Sequence, residues 1–525
     1  MLGSGKSSQN VWTAFDIHST AGTRQPRHSV SISWKRVKNE STAFATIGSS
    51  VIGGIDIIQG QLNVITEPDK FTYYDETDRV LELNYDRQVE EPLGGMVYAT
   101  GSVTLDNNTK RFTPNVSDTI GTALRPGRPI KMFTGFKISS NDTTLPALYG
   151  ITESPRENKE NRTCLLNVFD YVSYINDYEL ESTIFTSQTS DQIIASLLTT
   201  IGFTSSQYSL DTGINTIGFA WFEKGTKAGA AIRKICEAEE AQFFQDEEGL
   251  LRFQNRRNYN NNVTPVWTIN KEDILAWDVD TSVPLINRCI VRAKPRAVAS
   301  VHTEVWRSGT AVEIGNGDTE TVWATFDNPV SSFATLTSTL DYTANTASDG
   351  SGSDITGQVS ITVTSFTTSA KLEIENSYAG TAYITFLRLR GKPAVIVNEI
   401  EEIFENRDSE DTYGRYQVEI NNDFIDSQSF AYYLTRAIVN KYATPLKRIN
   451  VTIPAQPALQ VKDVVTLYDM DTNTSGSYRI MRIRGKMSQT GFLQTLTLRE
   501  VTDAEADSYA VVGTATIDGP DVVGI

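Results

Sequence analysis

The chain has 525 residues, of which 39% are hydrophobic and 10% aromatic, and carries a formal net charge of -17. At about 150 residues per domain that length suggests three or four packed domains and excludes a disordered chain. The acidic excess argues against grip on a phosphate backbone as the main activity, since that needs a clustered cationic face.

Residues 1–50 are polar and mixed, with a basic-leaning patch from Trp34 to Lys38, and read as a flexible or partner-docked arm. The GSGKSS segment at Gly3–Ser8 lacks the upstream glycine and the feeding strand of a phosphate loop. Strand material is expected from Ile52-Gly53-Gly54-Ile55 and Ile57-Ile58, which closes an N-terminal segment over 1–70. From Arg79 to Pro114, Leu81, Leu83 and Tyr85 alternate with Glu82, Asn84 and Asp86, the pattern of a half-buried strand. Pro92 and Gly94-Gly95 interrupt the run, and a second alternation through Val103 and Leu105 makes the stretch a long hairpin. Arg128–Phe136, Leu148–Thr152 and Thr163–Tyr171 are short apolar-rich runs between turn signals, so residues 71–176 read as one small β-barrel.

The period changes at Thr189. Ile193, Ile194, Leu197, Leu198 and Ile201 share a helical face, Thr189 and Gln192 have capping-box spacing, and Gly202 marks the stop. A second helix from Lys227 presents Ala228, Ala231, Ile232, Ile235 and Cys236, then a hairpin turns at Glu248-Gly249, giving an α+β domain over 177–279. A strand begins at Ile286, and at about Val301 the composition shifts to Thr, Ser, Asn and Gly with period-2 runs in ATFDN, VSITVTSF, AKLEIEN and TAYITFLRLRG. Residues 303–393 therefore read as an inserted β-sandwich, with Trp306, Trp323, Tyr342 and Tyr378 as core aromatics rather than a sugar platform. A third helix capped at Asp426-Ser427 shows Phe430, Ala431, Leu434 and Ile438 as its stripe and ends at Pro445. RPGRPIKMF with LYGITESPRENKENRTCLLNVFD is echoed by LQVKDVVTLYD with YRIMRIRGKMSQTGFLQTLTLRE, a suspected internal repeat. A Gly- and acid-containing tail occupies 501–525.

No catalytic, cofactor or metal site is indicated. Cys164, Cys236 and Cys289 are widely spaced and read as buried thiols, and no histidine stands near Cys236 to activate it. His18, His28 and His302 are too scattered for a ligand set. DMDTNTSG offers Asp469, Asp471 and Asn473, but has Thr474 and Ile480 where a calcium loop needs Gly and Glu. There is no apolar run of membrane-spanning length, and the first 30 residues lack a signal-peptide core, so the product is expected to stay in the cytoplasm that makes it.

DRQVEEPLGG, with Asp86, Arg87, Pro92, Leu93, Gly94 and Gly95, then VTLDN, with Asp106 and Asn107, then RFTP, with Arg111, Phe112 and Pro114, resembles the start of the first tube domain in tail hub proteins of long-tailed bacteriophages, also called baseplate hub, minor tail or tail-tip proteins. The likeness covers most of residues 50–300 and 395–500. It implies a mainly β fold with an α+β insert: tube-type β-barrels at 71–176 and at 280–302 with 394–500, the α+β domain between them, and the sandwich inserted in the second barrel. It also implies a non-enzymatic hub in the virion at the tail tip. There a homotrimer would present six tube units to a hexameric distal tail or tube ring, beside the tape measure protein and tip or receptor-binding proteins. DNA would pass through its channel without specific binding, along an acidic lining. Hub relatives often continue into a hydrolase or fibre, whereas here only the short tail follows Arg499, so separate proteins are expected to do that work. The competing reading is a receptor- or polysaccharide-binding tip protein acting through the sandwich; a wall-degrading enzyme would need an acid/base pair that does not stand out.

Overall fold

Alternating apolar side chains build the first strand earlier than expected, because Val30, Ile32 and Trp34 put three fully buried groups on one face of SVSISW. In the computed structural model the described residues are 25–36, 71–114, 120, 123–138, 141–181, 183–261, 263–280, 284–468, 475–489 and 491–501. The GSGKSS segment, His18, Ile52–Ile58, Asp469–Thr474 and the tail beyond Val501 lie outside them. The arm expected over 1–50 thus contains a core strand, β1 (Pro26–Arg36). It is followed by β2 (Phe71–Asp75), β3 (Val80–Gln88), β4 (Gly95–Met96), β5 (Thr100–Asp106), β6 (Pro129–Ile138), β7 (Asn141–Thr152), β8 (Arg156–Asn158) and β9 (Thr163–Phe169).

Next come α1 (Tyr171–Asp177), β10 (Thr183–Thr189), α2 (Ser190–Ile201), β11 (Tyr208–Leu210), β12 (Thr216–Phe222), α3 (Ala228–Glu239), β13 (Gln242–Gln245), β14 (Leu251–Gln254) and α4 (Arg256–Asn261). The Thr189–Gln192 capping box forms, and α2 stops on Gly202 in the left-handed region at φ 112°. β13 and β14 pair as the expected hairpin around Gly249. β15 (Pro265–Asn270), β16 (Ala276–Asp280), β17 (Arg288–Ala293) and β18 (Arg296–Val298) lead into the insert. The insert holds β19 (Thr303–Arg307), β20 (Val312–Ile314), β21 (Thr319–Thr325), β22 (Val330–Phe333), β23 (Tyr342–Asn345), β24 (Val359–Ser365), β25 (Ser369–Asn376) and β26 (Ala382–Ile396). The chain returns through β27 (Ile400–Glu405), α5 (Arg407–Tyr413), β28 (Gln417–Asn421), α6 (Gln428–Tyr442), β29 (Arg448–Pro454), β30 (Val464–Tyr468), β31 (Gly476–Ser488) and β32 (Gly491–Glu500).

One 14-stranded sheet runs β16-β29-β32-β31-β3-β5-β9-β7-β6-β1-β2, with β15, β30 and β8 off this path. It corrects the expected division in three ways. The two barrels drawn as separate domains share a single sheet and a single core. β15 and β16, assigned to the α+β domain, belong to that sheet. The third helix, placed with the second barrel, packs instead on the separate β27-β17-β28 sheet, where Ala431, Leu434 and Ile438 join α2 and α3 around one apolar cluster. The reason is complementary apolar surface: Cys289, Val291 and Ile420 face α6, whereas the large sheet fills its own core.

The insert has its own core, flanked by the β21-β25-β24 sheet and by strands gathered along β26. Trp306, Tyr342 and Tyr378 pack against that core. Trp323 does not: it is 58% exposed, because it sits on the outer face of a sheet whose other face is buried.

Trp34 is completely buried, lies 5.9 Å from the Phe112 ring and donates its Nε1–H to Glu76 Oε1 at 2.9 Å. Trp34→Ala is expected to lower unfolding free energy by about 3–5 kcal/mol in urea titration, through the cavity it leaves.

Candidate functional site

The large sheet contains the same strand arrangement twice. β3, β5, β6, β7 and β9 lie in the order β3-β5-β9-β7-β6, and β16, β29, β30, β31 and β32 lie in the order β16-β29-β32-β31-β30. Every adjacent pair in both sets is antiparallel. The surroundings differ, since β6 takes β1 antiparallel while β30 takes β15 parallel.

The two sets join where β3 pairs β31 antiparallel, from Glu82↔Ser488 to Gln88↔Arg482. On the core face Leu83 and Tyr85 are buried among Ile483, Met487, Leu496 and Leu498. Tyr85 Oη accepts from Gln494 Nε2 at 2.8 Å. Gly485 lies directly opposite Tyr85, and a Cβ there would fall 2.2 Å from the ring, so only glycine lets the two strands close. On the open face Asp86 accepts from Arg482 Nε at 2.7 Å and from its Nη2, with Arg484 at 3.7 Å, and Glu82 lies 3.6 Å from Lys486. A mostly polar row continues this face across successive strands, through Thr452, Thr495, Arg484, Asp86 and Thr100, and ends on the Phe169 ring.

Of the residues picked out in the sequence, Asp86 and Arg87 lie on this seam and the others lie away from it. Asp86 lies on the open face. Arg87 points the other way and is buried, donating to Gln460 Oε1 at 2.5 Å and Glu247 Oε2 at 3.1 Å, which ties β3 to both the second strand set and the β13–β14 hairpin. Pro92 follows a cis peptide bond, and Leu93 packs on the helix-containing core. Gly94, at φ +76°, lies so close to Ala241 O that a Cβ would meet it at 2.4 Å, and Gly95 N–H donates to that same oxygen as β4 joins β13 in parallel. Asp106, Asn107, Arg111 and Phe112 sit at the far end of β5. Asp106 Oδ1 accepts from Asn108 N and Asn107 Oδ1 from Phe112 N. Phe112 covers Trp34, while Arg111 clamps Glu76 with two near-parallel bonds of 2.7 and 3.0 Å. Pro114 is exposed. These are architectural roles.

Sequence reasoning missed the partners: Arg482, Arg484, Gly485 and Gln494 form the other half of the seam, nearly 400 residues away. The alternating bases of RIRGK were visible, but nothing local paired them with the alternating acids of β3. A buried charge network also escaped notice. Glu91, next to Pro92, faces Arg499 at 3.0 Å and Lys441 at 3.9 Å, and Lys441 donates to Glu240 at 3.0 Å.

Among the charged groups that burial shifts, three move furthest. Asp170 is pushed up to about 7 by burial, although Ala99 N–H (2.7 Å) and Ser173 N–H (3.3 Å) donate to it at the start of α1. Glu239 is likewise raised to about 7, with Ser190 Oγ and the Ile214 and Asn215 amides donating to one oxygen. Lys462 is lowered to about 7 by burial, 3.9 Å from the Phe244 ring centre. Each holds structure in place. The three thiols are buried and pushed upward by burial, against a nucleophilic role, and the described residues contain no cluster of three or more His, Cys, Asp or Glu able to hold a metal ion.

No family model matches the chain, and no curated protein does. The solved structures it is similar to include phage-tail proteins and a component of the type VI secretion system of E. coli. The 43 kDa tail protein of prophage MuSo2 from Shewanella oneidensis aligns at 11% identity over 83% of this chain and 97% of that one, with a TM-score of 0.45. A tail protein from Neisseria meningitidis MC58 aligns at 9% identity over 92% and 99%, with a TM-score of 0.48. Prophage tail protein gp18 from Listeria monocytogenes EGD-e aligns at 7% identity over 84% and 95%, with a TM-score of 0.39.

Because Asp170 is raised from 3.8 to about 7, the folded state holds its proton where the unfolded state has lost it, so this group withdraws stability as pH climbs from about 4 to 7. Lys462, lowered from 10.5 to about 7, acts in the opposite sense, and its cost fades as pH rises from 7 toward 10. Thermal unfolding across pH should show the wild type losing ground to Asp170→Asn between pH 4 and 7. It should gain ground on Lys462→Met above pH 7.

Proposed function

We propose that the protein is a structural tail hub of a phage virion, forming a homotrimeric ring whose six strand units meet a hexameric tail tube or distal ring on one side and tail-tip proteins on the other. The observation that carries this reading is the duplicated five-strand order within one sheet. A chain with two like-built units supplies six per trimer, so that one threefold object presents near-sixfold contacts, and closed rings require such matched surfaces. The Gly485–Tyr85 close approach and the Asp86–Arg482 pair hold the two units at one fixed offset. A repeating ring needs that constancy. The tape measure protein and tip or receptor-binding proteins are the partners this position implies.

The open face of the sheet is the natural lining of the bore. It is not the acidic wall that the net charge led us to expect, for Glu82, Asp86, Asp278 and Asp280 share it with Arg156, Arg448, Arg482, Arg484 and Lys486. Much of that charge is paired, as Asp86 is with Arg482 and Asp280 is with Arg448 at 3.8 Å. Paired charge among Thr, Ser and Asn neither grips nor strongly repels phosphates, which suits passing DNA. Native mass measurement of the purified protein should give three times the 58.1 kDa chain mass, and a single-chain mass at all concentrations would refute the ring.

One observation favours a second activity on the same chain. Trp323 and Phe366 stack with ring centres 6.2 Å apart and planes 17° from parallel, both about half exposed on the Thr-rich outer face of β21 and β24. Such a flat platform suits a sugar ring at the tip. Trp323→Ala should abolish binding to host wall polysaccharide in a pull-down while leaving the assembly mass unchanged.

A further inference from the structure

The seam between the two strand sets has a counterpart whose halves both stand open. In the second set, β31 gives its first residues to β30 and its later ones, Arg482–Ser488, to β3. In the first set the equivalent strand is split. β7 pairs β6, and β8 turns into β9 as the end of β31 turns into β32. Among the described residues, no strand occupies the outer edge of β8 or the outer edge of β16, which holds the place of β3 in the second set.

Aligning the two hairpin ends, Thr163 on Gly491, fixes the correspondence. Arg156 pairs Leu165 as Lys486 pairs Leu493. Asp86 reaches Phe169 through Thr100, and Asp278 reaches Thr497 through Asn450, so Asp278 stands where Asp86 does. The core-facing neighbours then show what is missing. Leu83 and Arg87 of β3 are 0% and 6% exposed beside β31, whereas their counterparts Leu275 and Val279 beside the open edge of β16 are 58% and 46% exposed.

We propose that β16 of one copy pairs antiparallel with β8 of a second copy of this chain, with Ala276 opposite Arg156 and Asp278 opposite Ser154, so that the junction within a chain is repeated between chains. This rests on the ring reading above and names the edges that close it. The charges agree: with Asp278 opposite Ser154, the acid on β16 lies one diagonal step from Arg156 on β8, within reach of its long side chain. The Arg156 side chain is 67% exposed in the single chain and lies 3.8 Å from Glu153, a surface pair it can exchange for one across the junction. Pairing covers Leu275 and Val279 and satisfies the edge donors of two strands that would otherwise invite aggregation.

The test is Ala276→Cys with Arg156→Cys in the full-length chain, oxidised and run on a non-reducing denaturing gel beside native mass measurement. Cys164, Cys236 and Cys289 are buried and do not compete. The double variant is expected to give covalent dimer and trimer bands, and each single variant none. A trimer mass without cross-links would overturn the edge pairing and leave the ring standing. A single-chain mass at every concentration would overturn both. As a second readout, Asp278→Arg should raise the dissociation constant about tenfold, and adding Arg156→Asp should restore it. Association unchanged in Asp278→Arg would also overturn the pairing.

Discussion

The backbone pairing of β3 with β31 is the constraint on which the rest of the architecture turns. An edge strand must satisfy its N–H and C=O groups or expose them, and β3 would be an edge without β31. Closing that ladder sets a register in which one slip would carry Tyr85 off Gly485 and Asp86 off Arg482, moving every side chain to the wrong face. The glycine makes the approach possible, the tyrosine fills the space it leaves, and the ion pairs hold the wet side.

A second layer fixes the helix-containing body to that sheet. The loop after β3 carries Val89 to Met481 O, Gly95 to Ala241 O and Glu91 into the network with Arg499 and Lys441. Buried charges are costly unless paired, so each member depends on its partners being in place, and the network tolerates only one mutual placement of β32, α6 and the loop. The sheet and the helical body are thereby held as one object.

The inserted sandwich stands apart from this logic. It has its own core and leaves the outer face of β21 and β24 free of the constraints that shape the large sheet. Variation there would not disturb the seam.

By itself the sequence determined the local elements: the alternation through Leu83 and Tyr85, the capping box at Thr189, the stop at Gly202, the Ser427 cap, the free thiols and the two echoing segments whose strands take the same order. Those signals are carried by neighbouring residues, within reach of period and cap chemistry. Only the tertiary structure decided which strands share a sheet, that Trp34 lies in the core while Trp323 does not, which core receives α6, and that Asp86 meets Arg482. The physical reason is that strand pairing is made by backbone groups that every residue carries. A half-buried strand therefore announces its faces but not its neighbour, and that choice is settled by register, close approach and charge contributed from the other end of the chain.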